Sequence, residues 1–206
     1  MHIPNHFKES DPERLAALIR DYPLGMLITI RDGLPFVGHI PFLYERQSGG
    51  VPVLLGHVAK ANPQWQDLVQ NQTALVVFQG PHAYVSPSWY ESPGVPTWNY
   101  ATVHVYGKAR LIEDEALVEK LVEKFTAVFE SKQPNPCKPN LFGERRAKLL
   151  EMTMCFEIEA REIQGKFKLS QNRSVEDQRS VISQLSQSPP TSEVAKLMRE
   201  NLKGEF

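Results

Sequence analysis

The sequence contains only two cysteines, Cys137 and Cys155, and neither belongs to a Cys-x-x-Cys pair. This pattern excludes a disulfide framework and is typical of two reduced, structural thiols in a cytoplasmic protein. No run of about 18 apolar residues is present, which argues against a membrane span. The first ten residues lack the basic-then-apolar pattern of a secretory signal. We therefore expect a cytoplasmic protein with no membrane association.

The sequence also lacks an excess of either charge, because the formal net charge is -1 over 206 residues. Such a balance supplies no global field that would attract nucleic acid. Residues 161–206 carry two more basic than acidic side chains, which allows a local patch only. The sequence also lacks the GxGxxG, P-loop, HExxH and GxSxG motifs, so no dinucleotide, nucleotide, zinc-protease or serine-hydrolase signature is present.

What the sequence does contain is a series of short strand patterns joined by turns. Asp32-Gly33 separates two of them and predicts a tight hairpin. Further strands are expected at 51–57, 74–79, 82–86, 102–112 and 152–160, and helices at 12–21, 62–69, 114–131 and 144–151. Two C-terminal helices are expected, one capped by Ser174 and Asp177 and the other by Ser192. Many hairpin-joined strands with few helices between them favour an antiparallel barrel with peripheral helices.

Residues 56–65, Gly-His-Val-Ala-Lys-Ala-Asn-Pro-Gln-Trp, form the first motif with chemical content. Lys60 ends a predicted strand, and Asn62-Pro63 begins a predicted helix. A phosphate group is bound by cationic side chains and by the free N–H groups of a helix N-terminus. The motif is therefore either an anion site or a solvated surface lysine followed by an ordinary helix start.

The second motif is an aromatic segment, Trp98-Asn99-Tyr100, which precedes a predicted strand. Broad aromatic faces with polar tips suit a flat heteroaromatic ligand or a dimer interface, and they can equally close the end of a barrel. Four histidines are scattered over predicted strands: His39, His57, His82 and His104. They are either satisfied or solvent-facing residues or ligand contacts, and no metal site is predicted.

The third motif is a run in which Lys166 and Lys168 flank Phe167, followed by polar residues and Arg173. It could contact the phosphate of a cofactor or of a nucleic acid, or it could be an edge strand protected by lysines. The C-terminal helices form a candidate helix-turn-helix. Its second helix carries Lys196 and Arg199, with two glutamates interrupting the positive face.

Four segments together resemble the PaiB family: MHIPNHF, GHVAKANPQW, VPTWNYATVHVYGKARLI and GKFKLSQNRS. They occur in the family's order, and the resemblance covers essentially the whole chain. It implies a mainly β, α+β fold, the split β-barrel of flavoproteins related to pyridoxamine-phosphate oxidase, usually as a homodimer. On this basis we expect a split-barrel domain at 1–170 and a helical appendage at 171–206. The family is described as FMN-binding negative transcriptional regulators that repress protease production and sporulation in some bacteria.

The resemblance also implies where FMN and DNA would be bound. The residues expected to bind the cofactor are His39, His57, Lys60, Asn62, Trp98, Asn99 and Tyr100. The first four lie near the phosphate, and the aromatic segment lies near the ring at the dimer interface. Promoter DNA would be contacted by Lys166, Lys168, Arg173, Lys196 and Arg199. The chain differs from the related oxidases in having no arginine between Arg46 and Arg110.

The preferred hypothesis is thus a PaiB-like negative transcriptional regulator that binds FMN or a related ligand. We therefore expect a regulator more than an enzyme. The alternative is an FMN-dependent oxidoreductase in which the cofactor supplies the redox chemistry. Its catalytic residues are unassigned, although His39 or His104 could donate a proton. A third hypothesis replaces the flavin with haem held by an axial histidine.

Overall fold

The protein is built on eight strands and six α-helices in a computed structural model that describes residues 1–47, 49–71, 73–137 and 143–203. The strands are β1 Lys8–Glu9, β2 Leu24–Arg31, β3 Leu34–Pro41, β4 Leu43–Arg46, β5 Pro52–Ala59, β6 Thr73–Val85, β7 Thr97–Ile112 and β8 Thr153–Lys168. The helices are α1 Pro12–Asp21, α2 Gln64–Asn71, α3 Glu115–Glu130, α4 Gly143–Glu151, α5 Val175–Leu185 and α6 Pro189–Lys203. None of the described helices has both the length and the apolar content needed to cross a membrane.

The strands form one mainly antiparallel sheet in the order β3-β2-β6-β7-β8-β5-β4, and β1 pairs with β8. Within the described residues no pairing joins β3 to β4, so the sheet is not closed into a barrel. β5 and β8 pair over seven residues, from Val53↔Glu159 to Ala59↔Thr153. This pairing fixes the end of β5, after which the first candidate site begins.

The β2–β3 hairpin confirms the turn expected at Asp32-Gly33. Both residues have positive φ angles, 51° and 76°, as a type I′ turn requires. The register runs from Leu24↔Pro41 to Arg31↔Leu34. Asp tolerates the left-handed conformation better than most residues and Gly adopts it without a steric penalty, so the dipeptide specifies this turn locally.

Helix α3 confirms the helix expected at 114–131, and it is amphipathic. The Asp114 side chain accepts the N–H of Leu117 at 2.9 Å and caps the helix. Val118, Leu121 and Phe125 are buried together, at the spacing that places them on one helix face. α3 therefore covers a hydrophobic cluster to which Leu43 and Cys155 also belong, and Leu55 packs against it.

Three local expectations were wrong. Gly80-Pro81 does not divide a strand, because β6 continues through both residues. The aromatic segment does not precede the strand expected at 102–112 but is part of it, since β7 already begins at Thr97. The last helix starts at Pro189 instead of being capped by Ser192, and proline suits a first helical turn because its missing N–H would have no helical acceptor there. In the two strand cases, pairing partners elsewhere in the chain override the local turn signals.

By internal contacts the chain divides into two units. The first unit comprises residues 1–22, 78–104 and 163–206, and the second comprises residues 23–77 and 105–162. Strands β6, β7 and β8 each contribute residues to both. The boundary expected between residues 170 and 171 remains a prediction.

Candidate functional site

Lys60 lies directly after β5 in the second unit, with an exposed side chain. Its backbone is held on both sides: the Lys60 N–H donates to the Met152 carbonyl at 2.7 Å, and the Trp65 indole N–H donates to the Lys60 carbonyl at 3.0 Å. Among the described residues no carboxylate pairs with the Lys60 ammonium group. The Lys60 ammonium group therefore extends from a backbone held in place by hydrogen bonds, an arrangement that suits the binding of an anion.

Helix α2 starts four residues after Lys60. The Asn62 side-chain oxygen accepts the N–H of Gln64 at 3.0 Å, and the Asn62 N–H donates to the Ala59 carbonyl at 2.8 Å. Asn62 therefore caps the helix and tightens the turn that carries Lys60. The N-terminal end of α2 contributes the positive end of a helix dipole to the same turn.

A buried ion pair fixes α2 to β2. The Arg31 guanidinium donates to one oxygen of the Asp67 carboxylate at 2.9 Å, and Thr29 Oγ1 donates to the other at 2.9 Å. Arg31 also donates to the Pro63 carbonyl at 2.5 Å, which ties the residue before the helix to the same strand. Because both carboxylate oxygens accept hydrogen bonds, the Asp67 charge is compensated inside the fold.

Gln64 completes this attachment. Its side chain is fully buried, and its Nε2 donates to the Leu27 carbonyl at 2.9 Å and lies 3.3 Å from the Phe36 carbonyl. The space beside Gly38 is filled by the Gln64 amide, so a side chain at position 38 would displace it. The partners lie about 30 residues apart in the sequence, and only the fold brings them together.

The two histidines expected near the phosphate differ in their surroundings. His39 is exposed on β3. His57 lies on the face of β5 that α3 covers, and its ring meets Phe125 edge to face at 4.7 Å. Its Nδ1 is buried without a hydrogen-bond partner in the described part of the chain, and burial lowers the pKa of His57. Cofactor contacts by either histidine remain predictions.

The first unit carries an exposed aromatic surface formed by His82, Tyr84 and Trp98. Trp98 is 53% exposed and Tyr84 44% exposed. The Trp98 ring lies 6.0 Å from that of Tyr84 and 6.1 Å from that of His82. Large aromatic side chains are normally covered by protein or ligand, so this surface is suited to a flat aromatic ligand or a partner chain.

Two lysines adjoin the aromatic segment in the first unit. Lys168 Nζ donates to the Trp98 carbonyl at 2.6 Å and to the Thr97 hydroxyl. Burial, and then the neighbouring Lys166, lower the pKa of Lys168. Lys166 Nζ lies 5.4 Å from the centre of the Tyr100 ring and donates to the His2 carbonyl. Both lysines, expected to contact nucleic acid, therefore have partners within their own unit.

Asn99 is a fully buried residue of β7 that contacts α6. Its Nδ2 donates to Ser170 Oγ at 2.9 Å and lies 3.4 Å from Met198 Sδ. Ser170 adopts a positive φ of 68°, which its hydrogen bonds to Asn99 help to hold. These contacts join β7 to the end of β8 and to α6, and a cofactor role for Asn99 remains a prediction.

The other basic residues expected to contact DNA belong to the first unit. Arg173 stacks on Tyr90 at 4.3 Å and donates to the Pro93 carbonyl at 3.1 Å. Lys196 and Arg199 are exposed on α6, and Arg199 donates to the Ser186 hydroxyl. Only Lys196 has no partner among the described residues.

His104 is a half-buried residue of β7 that sequence reasoning left among the alternatives. Its Nδ1 has no hydrogen-bond partner among the described residues. Burial, and then the positive charge of the chain's N-terminus, lower the pKa of His104. It is therefore a neutral imidazole near pH 7, which can accept a proton or donate a hydrogen bond.

Residues 1–162 match the family described as "Putative FMN-binding domain". The protein named "Protease synthase and sporulation protein PAI 2" of Bacillus subtilis is 37% identical over 212 residues, which cover both chains completely. An uncharacterized protein of Emericella nidulans, AN0679, is 35% identical over 89% of each chain. The family match supports FMN as the candidate cofactor.

Two solved structures show the same fold at low sequence identity. The flavocytochrome Anf3 of Azotobacter vinelandii has a TM-score of 0.63 at 21% identity, over 81% of this chain and 72% of its own. The FAD and heme binding protein of Mycobacterium smegmatis has a TM-score of 0.62 at 19% identity, over 84% and 78%. These likenesses confirm the expected fold class, mainly β with peripheral helices and of the split-barrel type. The closed antiparallel barrel that the strand pattern favoured is not formed by the described residues.

Each unit, considered by itself, contains residues that suit one part of FMN. In the second unit, Lys60 and the start of α2 match the needs of a phosphate. In the first unit, the aromatic surface matches the needs of a fused ring system.

Proposed function

Because this chain belongs to the FMN-binding-domain family that includes PAI 2 of Bacillus subtilis, we propose that it binds FMN and acts as a cytoplasmic negative regulator of transcription. Lys60 carries the proposal: no carboxylate among the described residues pairs with it, and it lies on a turn whose backbone is held by Met152 and Trp65. When bound, FMN would supply a redox-active ring, and regulation would use its presence or redox state as the signal.

In this proposal the chain's own residues bind and orient the cofactor. Lys60 and the α2 N-terminus hold the phosphate, and the capping of α2 by Asn62 keeps that turn in place. Trp98 and Tyr84 offer faces for the ring. The ring would be bound at the interface of a homodimer, which would cover the exposed aromatic surface.

Comparison of FMN with riboflavin tests the phosphate assignment, because riboflavin has the same ring and no phosphate. Flavin fluorescence titrations should show that Lys60→Ala weakens FMN binding by about ten- to 150-fold, the equivalent of a charge-assisted hydrogen bond. Riboflavin affinity should remain unchanged. Lys148→Ala, which removes an exposed lysine from α4, is the matched control and should behave as wild type.

An unchanged FMN-to-riboflavin ratio in Lys60→Ala would show that the phosphate is bound elsewhere. The dimer is tested separately by sedimentation with and without FMN. Tyr84→Asp places a charge on the aromatic surface and should produce monomers that have lost flavin affinity. A Tyr84→Asp protein that remains dimeric would remove this surface from the proposed interface.

The regulatory part of the proposal rests on kinship with PAI 2 and on exposed basic side chains of α6. Fluorescence anisotropy with promoter DNA should show binding that weakens steeply as salt rises. FMN should change this affinity if it is the signal. No retention of promoter DNA even at low salt, with or without FMN, would contradict the regulatory role.

An FMN-dependent oxidoreductase is the second candidate, and His104 is the observation that favours it. A half-buried, neutral imidazole on β7 is a suitable proton acceptor beside a redox cofactor. Reduction of bound FMN by NADH or NADPH with turnover of an acceptor would decide for this candidate. A Soret band on haem addition would instead favour the haem-binding alternative.

A further inference from the structure

A cavity of about 550 Å³ lies between helices α3 and α4 of the second unit. Its walls are mostly apolar, and the side chains that form them include Val122, Ala127, Pro136, Leu149 and Leu150. A volume of 300–1,000 Å³ is typical of sites for small organic molecules. The cavity shares none of the residues expected to bind FMN, so it is a separate feature of the protein.

The charges at the cavity are unbalanced. Among the described residues, Glu119, Glu123 and Glu130 line it together with one cation, Arg146. The Arg146 guanidinium lies 2.6 Å from both Glu119 and Glu123, so one arginine is shared by two carboxylates. The lining therefore has an excess of negative charge next to apolar walls.

Glu130 strengthens this excess. It is the last residue of α3, where the helix dipole presents its negative end and an acidic side chain is unfavourable. Its Oε2 accepts the backbone N–H of Cys137 at 2.5 Å, and no cation pairs with it among the described residues. An acid placed against a helix C-terminus and beside an apolar cavity is stabilised when a positive charge arrives.

We propose that this cavity binds a small amphipathic cation, a molecule with an apolar body and an amine or quaternary ammonium group. The apolar body lies against Val122, Leu149 and Leu150, and the cationic group lies beside Glu130. The site is independent of FMN binding. It gives the protein a second ligand, which can reach it without displacing the cofactor.

Cys137 is a built-in reporter of the site. It lines the cavity and its side chain is exposed. The other cysteine, Cys155, is buried, and burial raises its pKa to about 11, which leaves little reactive thiolate. Alkylation of the intact protein by iodoacetamide therefore reports on Cys137, and a ligand in the cavity should slow it.

The experiment compares three probes with the same alkyl chain: decyltrimethylammonium, decanol and decanoate, all below micellar concentrations. The cation should slow Cys137 alkylation saturably and bind about two- to fivefold more tightly than the neutral alcohol, the preference expected of a partly exposed ion pair. Decanoate should bind most weakly. Isothermal titration calorimetry provides the affinities independently of the thiol.

Two pairs of variants locate the site. Ala127→Trp fills the cavity and should abolish protection, whereas Ala116→Trp, at an exposed alanine of α3 outside the cavity, should not. Glu130→Gln keeps an acceptor for the Cys137 N–H while removing the charge, and it should remove the preference for the cation. Glu115→Gln, also on α3 but outside the cavity, is its control.

Several outcomes would overturn the proposal. These are equal binding of the three probes, binding that persists in Ala127→Trp, or no protection and no heat with any probe. Protection of Cys137 that rises with protein concentration in the absence of probe would also overturn it, because a second copy of the chain would then cover the cavity.

Discussion

The Arg31 guanidinium lies 2.9 Å from the Asp67 carboxylate and joins strand β2 to helix α2. The Asp67 side chain is only 5% exposed, and that of Arg31 is 25% exposed. The same arginine donates to the carbonyl of Pro63, three residues after Lys60. The pair therefore fixes the turn that presents Lys60, although neither residue is expected to touch the cofactor.

Asp67→Asn should destabilise the protein by about 3 kcal/mol. This is the lower end of the cost of breaking a buried ion pair, because Arg31 keeps some contact with water. Urea unfolding followed by circular dichroism measures the change. Arg20→Gln is the control, since its pair with Glu13 is exposed and should contribute less than about 1 kcal/mol. Equal stability of Asp67→Asn and Arg20→Gln would contradict the structural role of the buried pair.

The same substitution should also reduce the discrimination between FMN and riboflavin. Asp67→Asn loosens the start of α2, so the phosphate loses part of its preorganised site while the ring contacts remain. Flavin titration at a temperature where the variant is fully folded provides the measurement. A ratio identical to that of the wild type would show that Lys60 does not depend on the position of α2.

His57 predicts a pH dependence of stability with a definite sign. Burial lowers the pKa of His57 in the folded protein. Above about pH 6.5 the imidazole is neutral in both states and has no effect. Below it the unfolded chain binds a proton that the folded chain resists, so the free energy of unfolding should fall until the lower folded pKa is reached.

Replacement by phenylalanine tests this origin. His57→Phe should reduce the loss of stability between pH 6.5 and 5, with a remainder from His104, whose pKa is also lowered by burial. Urea unfolding at several pH values provides the data, and identical profiles for wild type and His57→Phe would reject His57 as the source.

Trp98→Ala should weaken FMN and riboflavin equally, in contrast to Lys60→Ala. The indole offers a ring face and no phosphate contact, and loss of one aromatic contact is expected to cost about three- to tenfold in affinity. Fluorescence titration with both flavins separates the two roles. A Trp98→Ala protein with wild-type affinity for both would remove the aromatic surface from the flavin site.

For DNA binding, Lys196 and Lys168 should behave differently. Lys196 is exposed on α6 without a partner in the described part of the chain, so Lys196→Ala should reduce the slope of log K against log salt by about 0.9. Lys168 is engaged by Trp98 and Thr97, so Lys168→Ala should leave the slope unchanged. Anisotropy over a salt series measures both, and a reduced slope for Lys168→Ala alone would reverse the assignment.

Features specified by neighbouring residues were predicted well from the sequence. Asp32-Gly33 was expected to form the hairpin turn that the structure shows, and the helix expected at 114–131 is present as α3. Lys60 was singled out because a strand end, a cation and a capped helix are close in the sequence. The expectation that failed at Gly80-Pro81 was also a local one, and it failed because strand pairing determines whether a turn signal is used.

Features that depend on distant partners were not predictable. Nothing near Asp67 in the sequence indicates that Arg31, 36 residues away, compensates its charge. Nothing near Asn99 in the sequence indicates that its amide contacts Ser170 and Met198, 71 and 99 residues away, and its cofactor role remains a prediction. Many side chains could form the hydrogen bond that a buried polar residue of a strand needs, and the sequence alone does not indicate which of them the fold brings close.

Identification of the small molecule that copurifies with the protein tests the central claim most directly. The absorbance spectrum and the mass of the released ligand should show FMN, at up to one per chain, and a protein purified without it should take up added FMN. A colourless protein that neither retains nor binds FMN, or one whose ligand shows a Soret band, would contradict the account.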